Sequence, residues 1–150
     1  MDLLESIKIR ALAYGDLDAI VEIDKAIVGK ERPEYWSMKI ESTENRAPMT
    51  SLVAEVADTV VGFILGDVSG WEYGVPDTIG WIEIIGVHPT YQRKGVARML
   101  FQEIVKNLKK VRVDTIYTFV NWREFDRLNF FDQMGFHKGD LIHLELKIET

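Results

Sequence analysis

The sequence has no cysteine. That excludes disulfides, thiolate metal sites and a cysteine nucleophile, and it suits a reducing compartment. Proline is scarce, four in 150 residues, and no stretch reads as a proline-rich linker. An excess of positive charge is missing too: 18 Lys and Arg stand against 24 Asp and Glu, a formal net charge of −6. Neutralising nucleic-acid phosphates takes a basic face, so no nucleic-acid partner is expected, and an acidic surface favours cationic ones. No apolar run approaches the roughly 18 residues of a membrane span. Met1-Asp2-Leu3-Leu4-Glu5-Ser6 carries acids where a secretory leader carries bases. The expectation is a soluble cytoplasmic protein with no membrane partner.

What is present is a chain that is 47% apolar and of a length for one domain, read here as residues 1–150. Ile7 to Leu12 alternates as a first strand, and Asp16 is placed to cap a helix with Leu17, Ile20, Val21, Ile23 and Ile27 on its apolar side. Pro33 opens a second helix to about Ile40, and Glu41 to Met49 reads as a loop. Ser51–Val56 and Val60–Asp67 make a hairpin about Ala57-Asp58-Thr59, Ser69 to Asp77 is a surface loop, and Thr78 to Val87 is a long strand. Val96, Met99, Leu100, Ile104 and Leu108 recur at helical spacing within Val96 to Lys109. Asp114 to Val120 is a strand, Phe125 to Met134 a helix closed by Gly135, and Leu141 to Ile148 alternates as a final strand. The order β-α-α-β-β-β-α-β-α-β predicts an α/β (α+β) domain. Its central sheet is mixed and mostly antiparallel, with six to seven strands flanked by helices.

The most informative stretch is Val87-His88-Pro89-Thr90-Tyr91-Gln92-Arg93-Lys94-Gly95-Val96-Ala97-Arg98. A strand ends, a short loop follows, and a helix starts with no acid in its opening turn. Such a helix presents uncovered N–H groups, here beside three basic side chains, and Gly95 lets an anion approach the backbone. The bland alternative is a helix that begins after a basic loop. The stretch is neither a Walker A loop nor a G-x-G-x-x-G fingerprint.

Gln92-Arg93-Lys94-Gly95-Val96-Ala97 resembles the Q/R-x-x-G-x-G/A signature of the GNAT superfamily of N-acetyltransferases. Phe130-Phe131-Asp132-Gln133-Met134-Gly135-Phe136 is similar to that family's later helix-to-strand segment, and the element order fits nearly the whole chain. The resemblance implies acetyl-CoA as cosubstrate. Its pyrophosphate would lie on the loop from Gln92 through Arg93, Lys94, Gly95, Val96 and Ala97 to Arg98. Its pantetheine arm would run beside the long strand against the backbone of Ile85 and Val87, an added-strand mode that main-chain bonds support. Gly86 either lets the strand bulge there or serves simple packing.

Amine acetylation needs a proton taken from the ammonium, stabilisation of the thioester oxygen, and a proton for the thiolate. Glu83 is the only charge in Ile79 to Val87, with Trp81 and Ile85 at two-residue spacing on its face, and is the candidate general base. The competing reading is a solvated or salt-bridged strand acid. The resemblance implies that the Ile85 N–H holds the thioester oxygen and that Asn121 contacts the cofactor, although Asn121 to Phe131 is longer than the family's spacing. Where many members have a tyrosine as general acid this chain has Phe131, so either another donor serves or the thiolate leaves to water. Phe131 would then pack on the pantetheine or simply fill a core. His88, His137 and His143 lack ligand spacing, and no metal is expected.

On the acceptor side, Tyr14, Tyr35, Trp36, Trp71 and Tyr73, with Glu31, Glu34, Glu72 and Asp77, would welcome an amine or else anchor loops. The acceptor could be a small molecule, a protein N-terminus or a lysine. The sheet edges of such a fold leave room for a homodimer. The alternative functions are a non-catalytic acyl-CoA sensor on the same fold and an interaction module without cofactor.

Overall fold

A computed structural model describes residues 3–43, 50–69 and 79–149. They fall into two units, one ending at Phe119 and one starting at Val120, taken here in turn.

The first unit is built on a five-stranded sheet of order β1-β2-β3-β4-β5. A single turn, α1 (Leu3–Ser6), leads into β1 (Ile7–Ala11). After α2 (Leu17–Val28) and α3 (Pro33–Thr43) come β2 (Ser51–Val56), β3 (Thr59–Ser69) and β4 (Ile79–Val87), then α4 (Val96–Lys110) and β5 (Thr115–Thr118). The first four strands pair antiparallel; β5 joins β4 in parallel, the mixed sheet expected. Ala57 (φ 50°) and Asp58 (φ 62°) both take left-handed backbone at the β2–β3 turn, as a two-residue type I′ hairpin requires. α3 runs three residues beyond the predicted end; the expected loop at 44–49 and the Trp71–Tyr73 loop lie outside the described residues.

Each sheet face has its own core. On one, Ile20, Ile23, Trp36 and Ile40 from α2 and α3 meet Val53, Phe63 and Leu65. On the other, α4 buries Val96, Leu100, Ile104 and Leu108, the row its 3.6-residue period predicts. Asp16 does not cap α2 with its side chain. Its carboxylate is buried and turned back to β1, where Arg10 grips it at 2.9 and 2.8 Å and the Ala13 N–H donates at 2.9 Å. Burial alone would push this carboxyl up, but the Arg10 and Ala13 hydrogen bonds more than reverse that and hold it below the usual range. Arg32 holds Asp24 low in the same way, through bonds of 2.9 and 2.7 Å.

The second unit contains α5 (Phe125–Gln133). Gly135 (φ 98°) ends it as expected, and the Phe136 N–H reaches back to the Phe131 carbonyl at 3.0 Å. The Phe131 and Phe136 rings meet edge-on at 5.1 Å, the apolar contact that accompanies this helix end. Among the described residues of the second unit, Leu141–Ile148, expected as a final strand, is not assigned as one, and its apolar side chains are exposed, Leu144, Leu146 and Ile148 above 80%. Among the described residues the sheet has five strands, where six to seven were expected.

Candidate functional site

The site is assembled where β4 parts from β5. Parallel pairing joins Ile79–Ile82 to Thr115–Thr118 and ends there, with the Thr118 hydroxyl donating to the Ile82 carbonyl at 2.8 Å. From residue 83 to 87, β4 runs on beside β3 alone in the sheet.

The parting coincides with a bulge. Ile82 lies opposite Gly66 and Ile84 opposite Leu65, so Glu83 has no opposite number. One extra residue reverses the alternation of side chains. Before it, Ile82 shares the α4 face with Gly66; after it, Ile84 packs into the core beneath α2 and α3, while Ile85, opposite Ile64, returns to the α4 face. One expectation is corrected by this: Ile85 does not share the face of Glu83. Of the two readings of Gly86, the bulge falls at Glu83 and not there. Gly86 is instead a close-packing position: a Cβ there would sit 2.7 Å from Phe63 Cζ.

Past the bulge the ladder has a definite phase. The His88 N–H donates to the Val61 carbonyl at 2.8 Å across the Gly62–Val87 pair, so Gly86 exchanges its main-chain bonds with Phe63. The main-chain groups of Ile85 and Val87 are thereby directed to the β5 side of the strand. The Val87 carbonyl accepts a bond of 2.9 Å from Gln92 Nε2. Gln92 thus ties the loop to the end of β4.

Arg93 (φ 62°) and Gly95 (φ 91°) turn the chain into α4. Gly95 is the N-cap residue and offers no side chain, no acid stands in the first turn, and no side-chain cap covers the N–H groups that start the helix. The Val96 side chain is buried, so its contribution here is its backbone alone. Lys94 lies over the Tyr91 ring at 6.0 Å, and Arg98 is exposed on the opening turn. A strand edge, a left-handed turn and an uncapped helix start therefore follow one another within Glu83–Arg98, a geometry suited to an extended chain ending in an anion.

Glu83 does not stand alone among apolar groups. Lys39 of α3 crosses to it, Nζ to Oε2 at 2.6 Å, with the two side chains 29% and 35% exposed. Lys39 escaped the sequence reading. The available signal was that a lone acid inside an apolar strand needs a cation, and Lys39 is the one basic residue on α3.

Other expected residues among the described ones have contacts of their own. Trp36 is fully buried on Phe63 and is a core anchor, not a surface for an acceptor. The Tyr14 hydroxyl pairs with Ser37 at 2.9 Å, Glu31 with Lys25 at 3.3 Å, and Tyr35 lies under Arg32 at 4.9 Å. Tyr117 meets Trp81 edge-on at 5.3 Å. Trp71, Glu72, Tyr73 and Asp77 lie outside the described residues. In the second unit, Asn121 Oδ1 accepts from the Arg123 N–H at 2.9 Å, a local turn bond, and the buried Phe131 ring is held between Phe130 and Phe136.

Comparison with known proteins gives a consistent result. A model of the acetyltransferase (GNAT) family matches residues 17–136. A mycothiol acetyltransferase of Propionibacterium freudenreichii subsp. shermanii is 28% identical over 139 residues, 88% of this chain and 43% of that protein. Acetyltransferase SG1711 of Sodalis glossinidius is 39% identical over 71 residues, 47% of this chain and 45% of that protein. The chain thus spans less than half the length of these curated relatives. Among solved structures, aminoglycoside N-acetyltransferase AAC(6')-Iy in complex with CoA superposes with a TM-score of 0.80 at 15% identity, covering 94% of each chain. PH1933 of Pyrococcus horikoshii OT3 does so at 0.73 with 26% identity, over 91% and 92%. Among the described residues no helix is long and apolar enough to cross a membrane.

Proposed function

The chain belongs to the acetyltransferase (GNAT) family, and we propose that residues 1–150 act as one N-acetyltransferase domain that moves an acetyl group from acetyl-CoA to a primary amine by direct attack. When bound, acetyl-CoA supplies the activated acyl carbon: the amine's N–C bond forms as the C–S bond breaks. The observation that carries this reading is the departure of β4 from β5 at the Glu83 bulge, with the uncapped start of α4 at the far end of the same strand.

Each residue has a part. The N–H groups at Gly95, Val96, Ala97 and Arg98 bind the pyrophosphate, with Arg93, Lys94 and Arg98 adding charge. Gln92 serves indirectly, by fixing the Val87 carbonyl and so the angle between strand and loop. Ile85 and Val87 pair with the pantetheine amides, and the Ile85 N–H receives the thioester oxygen. Gly86 keeps the strand seated on Phe63. Glu83 takes the acceptor's proton, and the acceptor's ammonium must first displace Lys39 from it. Asn121 and Phe131 belong to the cofactor's surroundings in this reading by family position, and the thiolate takes its proton from solvent because Phe131 has none to give. A neighbour named as an aminoglycoside N-acetyltransferase supports nitrogen as the acceptor atom. The exposed apolar side chains of the alternating segment Leu141–Ile148 suit burial against a second copy in a homodimer.

The test is thiol release from acetyl-CoA with a panel of small amines, N-terminal peptides and lysine peptides, run for the wild type and Glu83→Gln. We expect amine-dependent release in the wild type and, in the variant, turnover lowered by roughly 10²-fold or more with little change in acetyl-CoA affinity. Binding of acetyl-CoA without release for any amine would favour the sensor reading.

A further inference from the structure

We propose that Lys39 is itself an acetyl acceptor, so that the protein modifies its own α3 at the Glu83 bulge; this rests on the acetyltransferase reading above. Lys39 Nζ already occupies the position an acceptor nitrogen must reach, 2.6 Å from the carboxylate that is to take its proton. Neither partner is sealed off, at 29% and 35% exposure, so the pair can open towards a bound thioester. The carboxylate belongs to the one β4 residue that lacks an opposite residue on β3, at the point where β4 leaves β5.

The step balances without another reactant. Glu83 accepts one proton from the Lys39 ammonium and passes it to solvent. The nitrogen lone pair attacks the thioester carbon, the N–C bond forms, the C–S bond breaks, and the sulfur leaves with its electron pair. The second nitrogen proton is lost to solvent, from which the thiolate takes its own, giving CoA thiol and a neutral acetyl-lysine. Loss of the charge dissolves the pair and leaves Glu83 for the ammonium of an external acceptor.

The experiment is incubation of the full chain with isotope-labelled acetyl-CoA, followed by peptide mass spectrometry over time, with calorimetric titration of acetyl-CoA in parallel. Lys8 and Lys25, with side chains 73% and 57% exposed, report uncatalysed background. We expect Lys39 to be acetylated ahead of both despite its lower exposure, at a rate per molecule independent of protein concentration. Glu83→Gln should slow the labelling of Lys39 by roughly 10²-fold while leaving Lys8 and Lys25 unchanged. Lys39→Arg keeps a cation for Glu83, preserves the fold and should carry no label at that position. If acetyl-CoA binds while Lys39 labels no faster than Lys8 and Lys25, or labels equally in Glu83→Gln, the inference fails and the acetyltransferase reading stands. If acetyl-CoA does not bind, both fail.

Discussion

Gln92 Nε2 donates to the main-chain carbonyl of Val87 at 2.9 Å, closing the loop between β4 and α4 on itself. The first residue of the Gln92–Ala97 signature therefore works as a brace, and the angle between strand edge and helix start depends on it. We expect Gln92→Ala to cost about 0.5–1.5 kcal/mol of stability, the worth of one such bond, and to weaken acetyl-CoA binding although the side chain touches no phosphate. Gln92→Glu, which keeps the length and loses the donor, should be worse on both counts. Urea unfolding and calorimetry measure the two effects; unchanged affinity in both variants would remove the brace from the account.

Gly86 lies against the Phe63 ring, where a Cβ would come within 2.7 Å of Cζ and 3.0 Å of Cε1. Neither Phe63, buried under Trp36, nor the β3–β4 ladder has room to yield. Gly86→Ala should destabilise by about 1–3 kcal/mol, read from the urea midpoint. Paired with Phe63→Leu, which opens space at the ring, the alanine should cost clearly less than alone; equal costs in both backgrounds would show that the ring is not what the glycine accommodates.

Asp16 and Asp24 are held below the ordinary carboxylate value of about 3.9 by Arg10 and Arg32. A carboxyl with a depressed folded value binds its proton more weakly when folded than unfolded. Its contribution is complete above the unfolded value and is lost as pH falls through the lower folded one. Stability should therefore be flat near neutrality and fall below about pH 4. Asp16→Asn should cost about 1.5–3 kcal/mol at pH 7 and flatten the acid limb, as measured by urea unfolding across pH. An acid limb as steep as the wild type's would assign that loss to other groups.

The local periodicities carried most of the fold. Alternation marked β1, apolar runs bounded by turn residues marked β2 to β4, and the 3.6-residue row from Val96 to Leu108 marked α4 and its buried face. The loop chemistry before Gly95 was equally visible, because an uncapped helix start is written in the absence of acids and of a capping side chain. What stayed hidden depends on residues distant in sequence. The bulge at Glu83 is a matter of register against Leu65 and Gly66, and counting by twos along β4 alone puts Ile85 on the wrong face. Lys39 reaches Glu83 across 44 positions. Leu141–Ile148 alternates like a strand yet is not assigned as one among the described residues, since periodicity names the faces and not the partner. Trp36 was readable: with Ile40 four positions on, it belongs to one helical face, and both are fully buried.

The central claim is that the N–H groups starting α4 bind the pyrophosphate of acetyl-CoA. The most direct measurement is calorimetric titration of acetyl-CoA into the wild type, Gly95→Asn and Gly95→Asp. Asparagine and aspartate both tolerate the left-handed backbone at this position, φ 91°, and differ in a charge set against the phosphates. The account predicts binding by the wild type, weaker binding by Gly95→Asn and none measurable by Gly95→Asp, with both variants folded by circular dichroism. Equal affinities for the asparagine and aspartate variants, or a wild type that binds no acetyl-CoA, would contradict it.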